Sequence, residues 1–382
     1  MKIRKNWMSV VTILTLTVSF LPRQVKNLVF LLIFIVSFVR IFRYLVHNGF
    51  NVFKNRDKTL YEQIILSLFI VAYSIINTVY NGISIESIER LFQLFTAVFL
   101  LLSSANYDWD RYDMKLIFLI CKFLIIINLL VWCMKGFARG GFAGIYTHSS
   151  GLGSAMFFCV VFFIIKENKE LVDKIFIILA YLMIIVANSR AVIGAAVCFT
   201  IVYFLLSYDS KKFKWIFDGV ILISCILPVV YMMIYNSGMR SLVNNYFRKM
   251  TSKNFFSGRQ LLWGKLIECI LKKPWIGYGL NITPEKLIGN IWSSHNWYLQ
   301  VVLQMGIIGF VLLIMVLRTI WKNLLLLDNN KAIISASYMV GVLIWQSFEV
   351  SITQNNFPSG IVVWLIFGIG LNNTYNIKLK NI

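Results

Sequence analysis

Twelve apolar stretches, each close to the length of a bilayer-spanning helix, divide this chain: residues 7–22, 27–46, 60–80, 88–104, 114–134, 149–165, 174–188, 190–208, 215–235, 297–317, 332–349 and 357–372. A helix needs about 20 mostly apolar residues to cross a hydrocarbon core about 30 Å thick. Only helices and closed barrels satisfy every backbone polar group there. The pattern predicts an all-α polytopic integral membrane protein with about twelve transmembrane helices, read as a single transmembrane domain over 1–382. Composition points the same way, with 59% hydrophobic and 14% charged residues, against roughly 45–50% and 25% in a soluble domain. A soluble globule would expose that surplus as adhesive patches. A soluble enzyme, a disordered tail and a secreted disulfide scaffold are therefore excluded. The six cysteines lie mostly in apolar runs and form no CxxC pair, so they read as small buried hydrophobes. Lys2, Arg4 and Lys5 ahead of Trp7–Leu21 resemble a signal peptide, but Phe20-Leu21-Pro22 offers no small-residue cleavage site. A retained first helix is expected.

The net charge is +21. In a membrane protein such an excess points to cytoplasmic loops and anionic lipid, not to nucleic acid. Alternate connections carry Arg40, Arg43, Lys54, Arg56 and Lys58; Lys166, Lys169 and Lys174; Lys211, Lys212 and Lys214; and Arg318, Lys322 and Lys331. The connections near 81–87 and 350–356 contain no Lys or Arg. Basic residues mark the cytoplasmic side, so both termini are expected there. Arg23 and Lys26 in an outer loop, and the near-neutral inner loop at Asp108–Asp113, run against the rule. One long extracytoplasmic loop, 236–296, is then inserted between spans nine and ten. Its nine basic residues face only Glu268 and Glu285, a net +7. Long loops escape the orientation rule, and a cationic surface concentrates anions.

Within that loop, Ser257-Gly258-Arg259-Gln260 has the spacing of a capping box. A helix over 258–272 would align Arg259, Trp263, Leu266 and Ile270 on one stripe. Lys272 and Lys273 would suit its C-terminus, and Pro274 would stop it. Trp275-Ile276-Gly277-Tyr278-Gly279 reads as a turn. Such an amphipathic helix is expected to lie flat on the outer leaflet.

Few residues can carry chemistry. Arg190, in Ala187-Asn188-Ser189-Arg190-Ala191, sits between two apolar runs, where a charge either faces a polar cavity or snorkels to the interface. Arg139 and Arg259 are expected on the same side, and a guanidinium matches phosphate oxygens two at a time. His295, in Ser293-Ser294-His295-Asn296-Trp297, is either a polar boundary residue or a proton acceptor, since an ordinary imidazole titrates near 6.5. His148 reads as part of a Gly/Ser-rich turn leading into span six, and His47 has no evident role. Glu349, with Gln346 and Gln354, either lines a polar cavity or is a plain interfacial acid. No nucleotide-binding GxxxxGK[ST] loop is present, and the outer segments hold no metal-ligand spacing. Asp108 and Asp110 form a D-x-D beside Arg111, read as a solvated loop. No metal or cofactor is expected.

The set resembles the bacterial O-antigen ligase and polymerase superfamily. The resemblance rests on Asn188-Ser189-Arg190-Ala191 opening span eight and on the long outer loop after span nine. Gly258-Arg259 with Trp263, Pro274-Trp275-Ile276-Gly277-Tyr278-Gly279, His295-Asn296-Trp297-Tyr298-Leu299 and Gly306-Ile307-Ile308-Gly309 complete it. Arg139-Gly140-Gly141-Phe142-Ala143-Gly144 is similar to an outer Arg/Gly stretch of the same family. The close likeness covers about 139–310. It implies a multi-pass enzyme of the bacterial plasma (inner) membrane, acting on sugars carried by undecaprenyl diphosphate. Arg190, Arg259 and His295 are then the expected catalytic residues, and Arg139 and Asn296 the expected substrate-binding ones. Asn296, where ligases often carry an acid, resembles the polymerase branch, which makes O-antigen or capsular polysaccharide. A chain-length regulator and a repeat-unit flippase are the implied partners. The rival readings are an O-antigen ligase acting on lipid A-core and a transporter of lipid-linked sugar.

Overall fold

The computed structural model describes residues 6–48, 58–138, 140–251, 254–256, 258–289, 293–354 and 357–372. Among them every regular element is a helix: α1 Asn6–Thr17 (followed by a 3-10 turn, Val18–Phe20), α2 Arg23–Asn48, α3 Lys58–Tyr80, α4 Ile85–Ala105, α5 Arg111–Met134, α6 Ser149–Ile165, α7 Leu171–Ala187, α8 Arg190–Asp209, α9 Ile216–Asn236, α10 Arg240–Thr251, α11 Arg259–Lys272, α12 Pro284–Ile288, α13 Trp297–Leu327, α14 Asn330–Gln346 and α15 Phe357–Leu371. A helix stands at each of the twelve predicted apolar stretches. Six helical segments are both long and apolar enough to cross a membrane: Val25–Tyr44, Glu62–Tyr80, Arg111–Met134, Arg190–Asp209, Ile216–Asn236 and Trp297–Leu327.

Local chemistry sets the boundaries. Pro22 follows the 3-10 turn and cannot continue a helix that needs its N–H. Ser84 caps α4 by accepting from Ser87 N, and Asp110 caps α5 by accepting from Tyr112 N and Asp113 N. Asn188 adopts a left-handed conformation (φ 52°) that ends α7, so α8 begins two residues later. Asparagine tolerates that region better than most residues. The centre of the bundle is α14 and α15. The latter is buried almost throughout, from Phe357 to Gly370, as expected of a helix apolar on every side. Along α14, a Cβ on Gly341 would come within 2.7 Å of the Ala195 carbonyl oxygen. Glycine there lets α14 and α8 pack backbone to backbone.

The predicted span 297–317 is not one continuous helix. Gly306 interrupts α13 with φ 65° and ψ −176°, and the element runs on to Leu327. The turn 274–279 fills the break. Tyr278 N donates to Leu303 O (2.9 Å) and Gly279 N to Gln304 O (2.9 Å), while Ile307 N donates to Pro274 O (2.8 Å) and Ile308 N to Trp275 O (3.3 Å). Tyr73 Oη of α3 donates to Met305 O (2.6 Å), and Asn77 Nδ2 donates to Ile276 O (2.7 Å). The groups released at 303, 304, 305, 307 and 308 are thus all bonded, which a break at membrane depth requires. The fit depends on two facing glycines. A Cβ on Gly306 would lie 2.1 Å from Trp275 O, and one on Gly277 would lie 2.6 Å from Gly306 N.

Two expectations for the long loop change. The helix 259–272 forms, but Gly258 in a left-handed conformation is its N-cap and no side chain caps it. Ser257 lies outside the described residues. Nor does its apolar stripe face lipid. Trp263 and Leu266 are fully buried against Leu227, Tyr231 and Met232 of α9 and Leu299 and Leu303 of α13, so burial in protein takes the place of burial in the leaflet. Replacing Gly306 with Ala should cost about 2–3 kcal/mol, because the turn or α13 must move to admit the methyl group. Gly194→Ala, where a Cβ meets nothing within 4 Å, should be neutral or stabilise by up to ~1 kcal/mol. Thermal unfolding of the two variants in detergent micelles checks the contrast.

Candidate active-site crevice

Four helices begin at one crevice of about 940 Å³: α6 through His148 and Gly151, α8 through Ser189 and Ala191, α11 through Arg259 and α12 through Thr283 and Pro284. The far wall comes from Phe20 after α1 and from Trp345, Phe348 and Glu349 at the end of α14. His295 and Gln300 complete it beside the start of α13.

His295 is held by its neighbours on both sides. Trp263 Nε1 of α11 donates to Ser294 O (2.8 Å) and Ser294 Oγ donates to Asn296 O (3.2 Å). Asn296 Oδ1 then caps α13 by accepting from Leu299 N (2.9 Å), and its Nδ2 donates to Ser347 O (3.1 Å). Between these anchors His295 adopts φ 46°, a left-handed conformation that costs about 1–2 kcal/mol outside glycine. Its ring Nδ1 is buried with no hydrogen-bond partner among the described residues. Burial, reinforced by the Arg259 guanidinium, holds the imidazole pKa down at about 4. His295 is therefore neutral through the physiological range and has a nitrogen to spare.

Arg259 is the first residue of α11 and its guanidinium lies 5.7 Å from the centre of the Phe348 ring. Burial weakens its hold on its proton and Glu349 restores it, while the charge of Arg190 acts in the same sense as burial. Arg190 heads α8 and is exposed; its Nη1 donates to Asn254 O (3.3 Å) and it packs 5.4 Å from the centre of the Phe247 ring. Arg190 is thus a close electrostatic neighbour of the crevice without forming its wall. Glu349 was left open by sequence, and α14 ends before it, at Gln346. Burial raises its carboxyl pKa, opposed by a backbone hydrogen bond from Val350 and by the charges of Arg259 and His148.

The lining cations Lys26 and Arg259 are matched by Glu285 and Glu349, so side chains alone do not make the crevice strongly positive. The backbone tips the balance. The cap positions of α6 (His148), α8 (Ser189) and α11 (Gly258) make no side-chain hydrogen bond to their helices. Each such N-terminus presents unsatisfied N–H groups and the equivalent of roughly half a positive charge. Three of them, with Arg190 and Arg259 heading two, make a seat for an anion.

Of the residues singled out in sequence, Arg259 and His295 share the crevice and Arg190 flanks it. Asn296 does not line it: its amide is spent on capping α13 and on Ser347. Arg139 lies outside the described residues. Sequence reasoning missed His148, taken for a turn, and Lys26, taken for a stray outer charge. The cue for both was present, since a lone His before a Gly/Ser run and a Lys against the charge rule each need a polar reason. Among the described residues no group of three or more His, Cys, Asp or Glu converges to hold a metal.

The depressed His295 pKa has a stability consequence. Between about pH 6.5 and about pH 4 the folded chain binds fewer protons here than the unfolded chain, so this contribution is complete above the ordinary value and is lost as pH falls toward 4. In detergent melts the wild type should lose more stability between about pH 7 and about pH 5 than His295→Gln does. Equal losses would contradict the depressed value.

A search of curated proteins finds no match to the chain. Residues 175–314 match the family model for O-antigen ligase, a segment that contains Arg190, Arg259, His295 and the break at Gly306 but not His148 or Glu349. Residues 175–314 are thus similar to the O-antigen ligase family, which supports the resemblance to the O-antigen ligase/polymerase superfamily.

Proposed function

We propose that this protein is a glycosyltransferase of the bacterial plasma (inner) membrane that polymerises undecaprenyl-diphosphate-linked repeat units into O-antigen or capsular polysaccharide. The observation that carries the reading is the convergence of three uncapped helix N-termini and Arg259 on a crevice that also holds a neutral imidazole. A diphosphate needs the former and a hydroxyl nucleophile needs the latter. In this scheme twelve spans place both termini in the cytoplasm and the crevice at the outer face, with 236–296 as its extracytoplasmic cover.

In the proposed reaction the acceptor sugar's hydroxyl oxygen attacks the anomeric carbon of the growing glycan. The bond from that carbon to the diphosphate oxygen breaks, and undecaprenyl diphosphate departs with the electron pair. Arg259 and Arg190, with Arg139 assisting, neutralise the charge that develops there, in a site partly shielded from water. His295 takes the hydroxyl proton. An imidazole with a pKa near 4 holds a proton only briefly, and the departing diphosphate is the natural acceptor for it. Glu349, as a nearby negative charge, favours the protonated form of Arg259. Diphosphate is a good leaving group once neutralised, so the scheme calls for no metal. Asn296 acts through the backbone, fixing where His295 points. A chain-length regulator and a repeat-unit flippase are proposed partners.

The family description favours a second reading, an O-antigen ligase using the same donor with lipid A-core as acceptor. A transporter of lipid-linked sugar is not favoured, because broken helices in transporters offer free backbone groups to substrate. Here those groups are bonded to the 274–279 turn and to Tyr73.

His295→Ala should lower glycan transfer in membranes by roughly 10²–10⁴-fold while the protein remains inserted. Arg259→Lys should stay at least ~10-fold impaired, since an ammonium lacks the planar fork; normal turnover in both variants would defeat the scheme. The acceptor is decided in a deletion strain. Surface glycans of a single repeat indicate a polymerase, whereas long polymer left on its lipid carrier indicates a ligase.

A further inference from the structure

A second crevice, of about 540 Å³, lies at the other end of the bundle. Gly151 and Ile165 of α6 line the first and second crevices respectively, as do Trp345 and Lys331 of α14. Each pair is 14 residues apart, about 21 Å along a helix axis. The two sites therefore face opposite sides of the protein.

The second crevice gathers five cations, Arg111, Lys115 and Lys122 from α5, Lys166 after α6 and Lys331 from α14, against Glu167 and Glu170. Three of the five are committed. Lys122 and Lys166 converge on the buried Asp173 behind the wall, and Lys331 pairs with Glu167 at 3.8 Å. Arg111 and Lys115 have no ion-pair partner among the described residues. Apolar groups share the same walls, Met114, Phe118, Leu119 and Ile165, which an inorganic anion would not use.

What leads out of the crevice separates a lipid from a free anion. On α5, a candidate membrane span, Lys115 stands at the head of an exposed stripe formed by Leu119, Phe123, Ile126 and Leu130. Spacings of three and four residues keep the stripe on one helix face. From Leu119 to Leu130 it runs about 16 Å, close to half of a hydrocarbon core about 30 Å thick. The length is that of one leaflet. We propose that this crevice binds the phosphate of an anionic phospholipid, with Arg111 and Lys115 on the headgroup and an acyl chain along the Leu119–Leu130 stripe. Basic pockets between helices are a recurrent way to hold such headgroups. The bound lipid would fix α5, α6 and α14 at the end remote from the proposed transfer site.

The test needs no transferase assay, so its failure and the failure of the proposed activity are distinguishable. The full chain, purified in neutral detergent, is titrated with phosphatidylglycerol, phosphatidylcholine and inorganic phosphate, and retained lipid is counted by native mass spectrometry. Phosphatidylglycerol should bind in preference to phosphatidylcholine and should resist displacement by inorganic phosphate. The double variant Arg111→Gln, Lys115→Gln, which alters two exposed side chains, should weaken phosphatidylglycerol binding roughly 30-fold. A control that removes two other exposed charges, Lys211→Gln with Lys212→Gln, should not. Equal binding of both lipids, full displacement by inorganic phosphate, an unaffected double variant or an equally weakened control would each overturn the proposal.

Discussion

A membrane interior supplies no hydrogen bonds, so an interrupted helix within it must be completed by the protein itself. That constraint governs the end of the molecule that holds the larger crevice. The break at Gly306 is closed by a turn whose backbone lies against it, through the facing glycines 277 and 306 and four main-chain hydrogen bonds. Because the turn follows α11 directly and leads toward α12, closing the break also fixes where α11 ends and the segment leading to α12 starts. α11 brings Arg259, its Trp263 holds the segment that presents His295, and α12 closes one side of the crevice. A single backbone-to-backbone contact thereby ties the segment from α11 to α12 to the bundle.

The electrostatics of the crevice come from the fold as much as from side chains. Lining cations and acids balance, while three helices start there without a side-chain cap. Burial that would penalise a lone anion also strengthens each dipole aimed at it. The same burial keeps His295 neutral, and a neighbouring guanidinium helps to keep it so. An arrangement that favours an anionic headgroup is therefore the same one that leaves the imidazole free to accept a proton.

Much of this was legible in the amino-acid sequence. Each predicted apolar run marked a helix, six of them long and apolar enough to cross a membrane, since burial in lipid or in other helices demands the same composition. Arg259 and His295 were legible as polar residues at the edges of apolar segments, where their cost calls for a reason. What was not legible arose from tertiary packing. The stripe of α11 reads equally well as lipid-facing or protein-facing, because Trp263 and Leu266 are apolar in either case. Gly306 looks like any small residue in a span until the 274–279 turn is seen against it. Asn296, adjacent to His295, proved to be a helix cap, because spacing along a chain does not say which way an amide points. Lys26, which violated the charge rule, found its explanation in a wall of the crevice.

The central claim is that a diphosphate headgroup is seated between the starts of α6, α8 and α11, against Arg259 and beside His295. An experimental structure of the protein with a short-chain prenyl diphosphate bound tests it most directly. The account predicts phosphate oxygens within hydrogen-bonding distance of the Arg259 guanidinium and of main-chain N–H groups at those helix starts, with the His295 ring nitrogen facing the sugar-bearing side. A diphosphate bound elsewhere on the bundle, with Arg259 turned away and His295 covered, would contradict it.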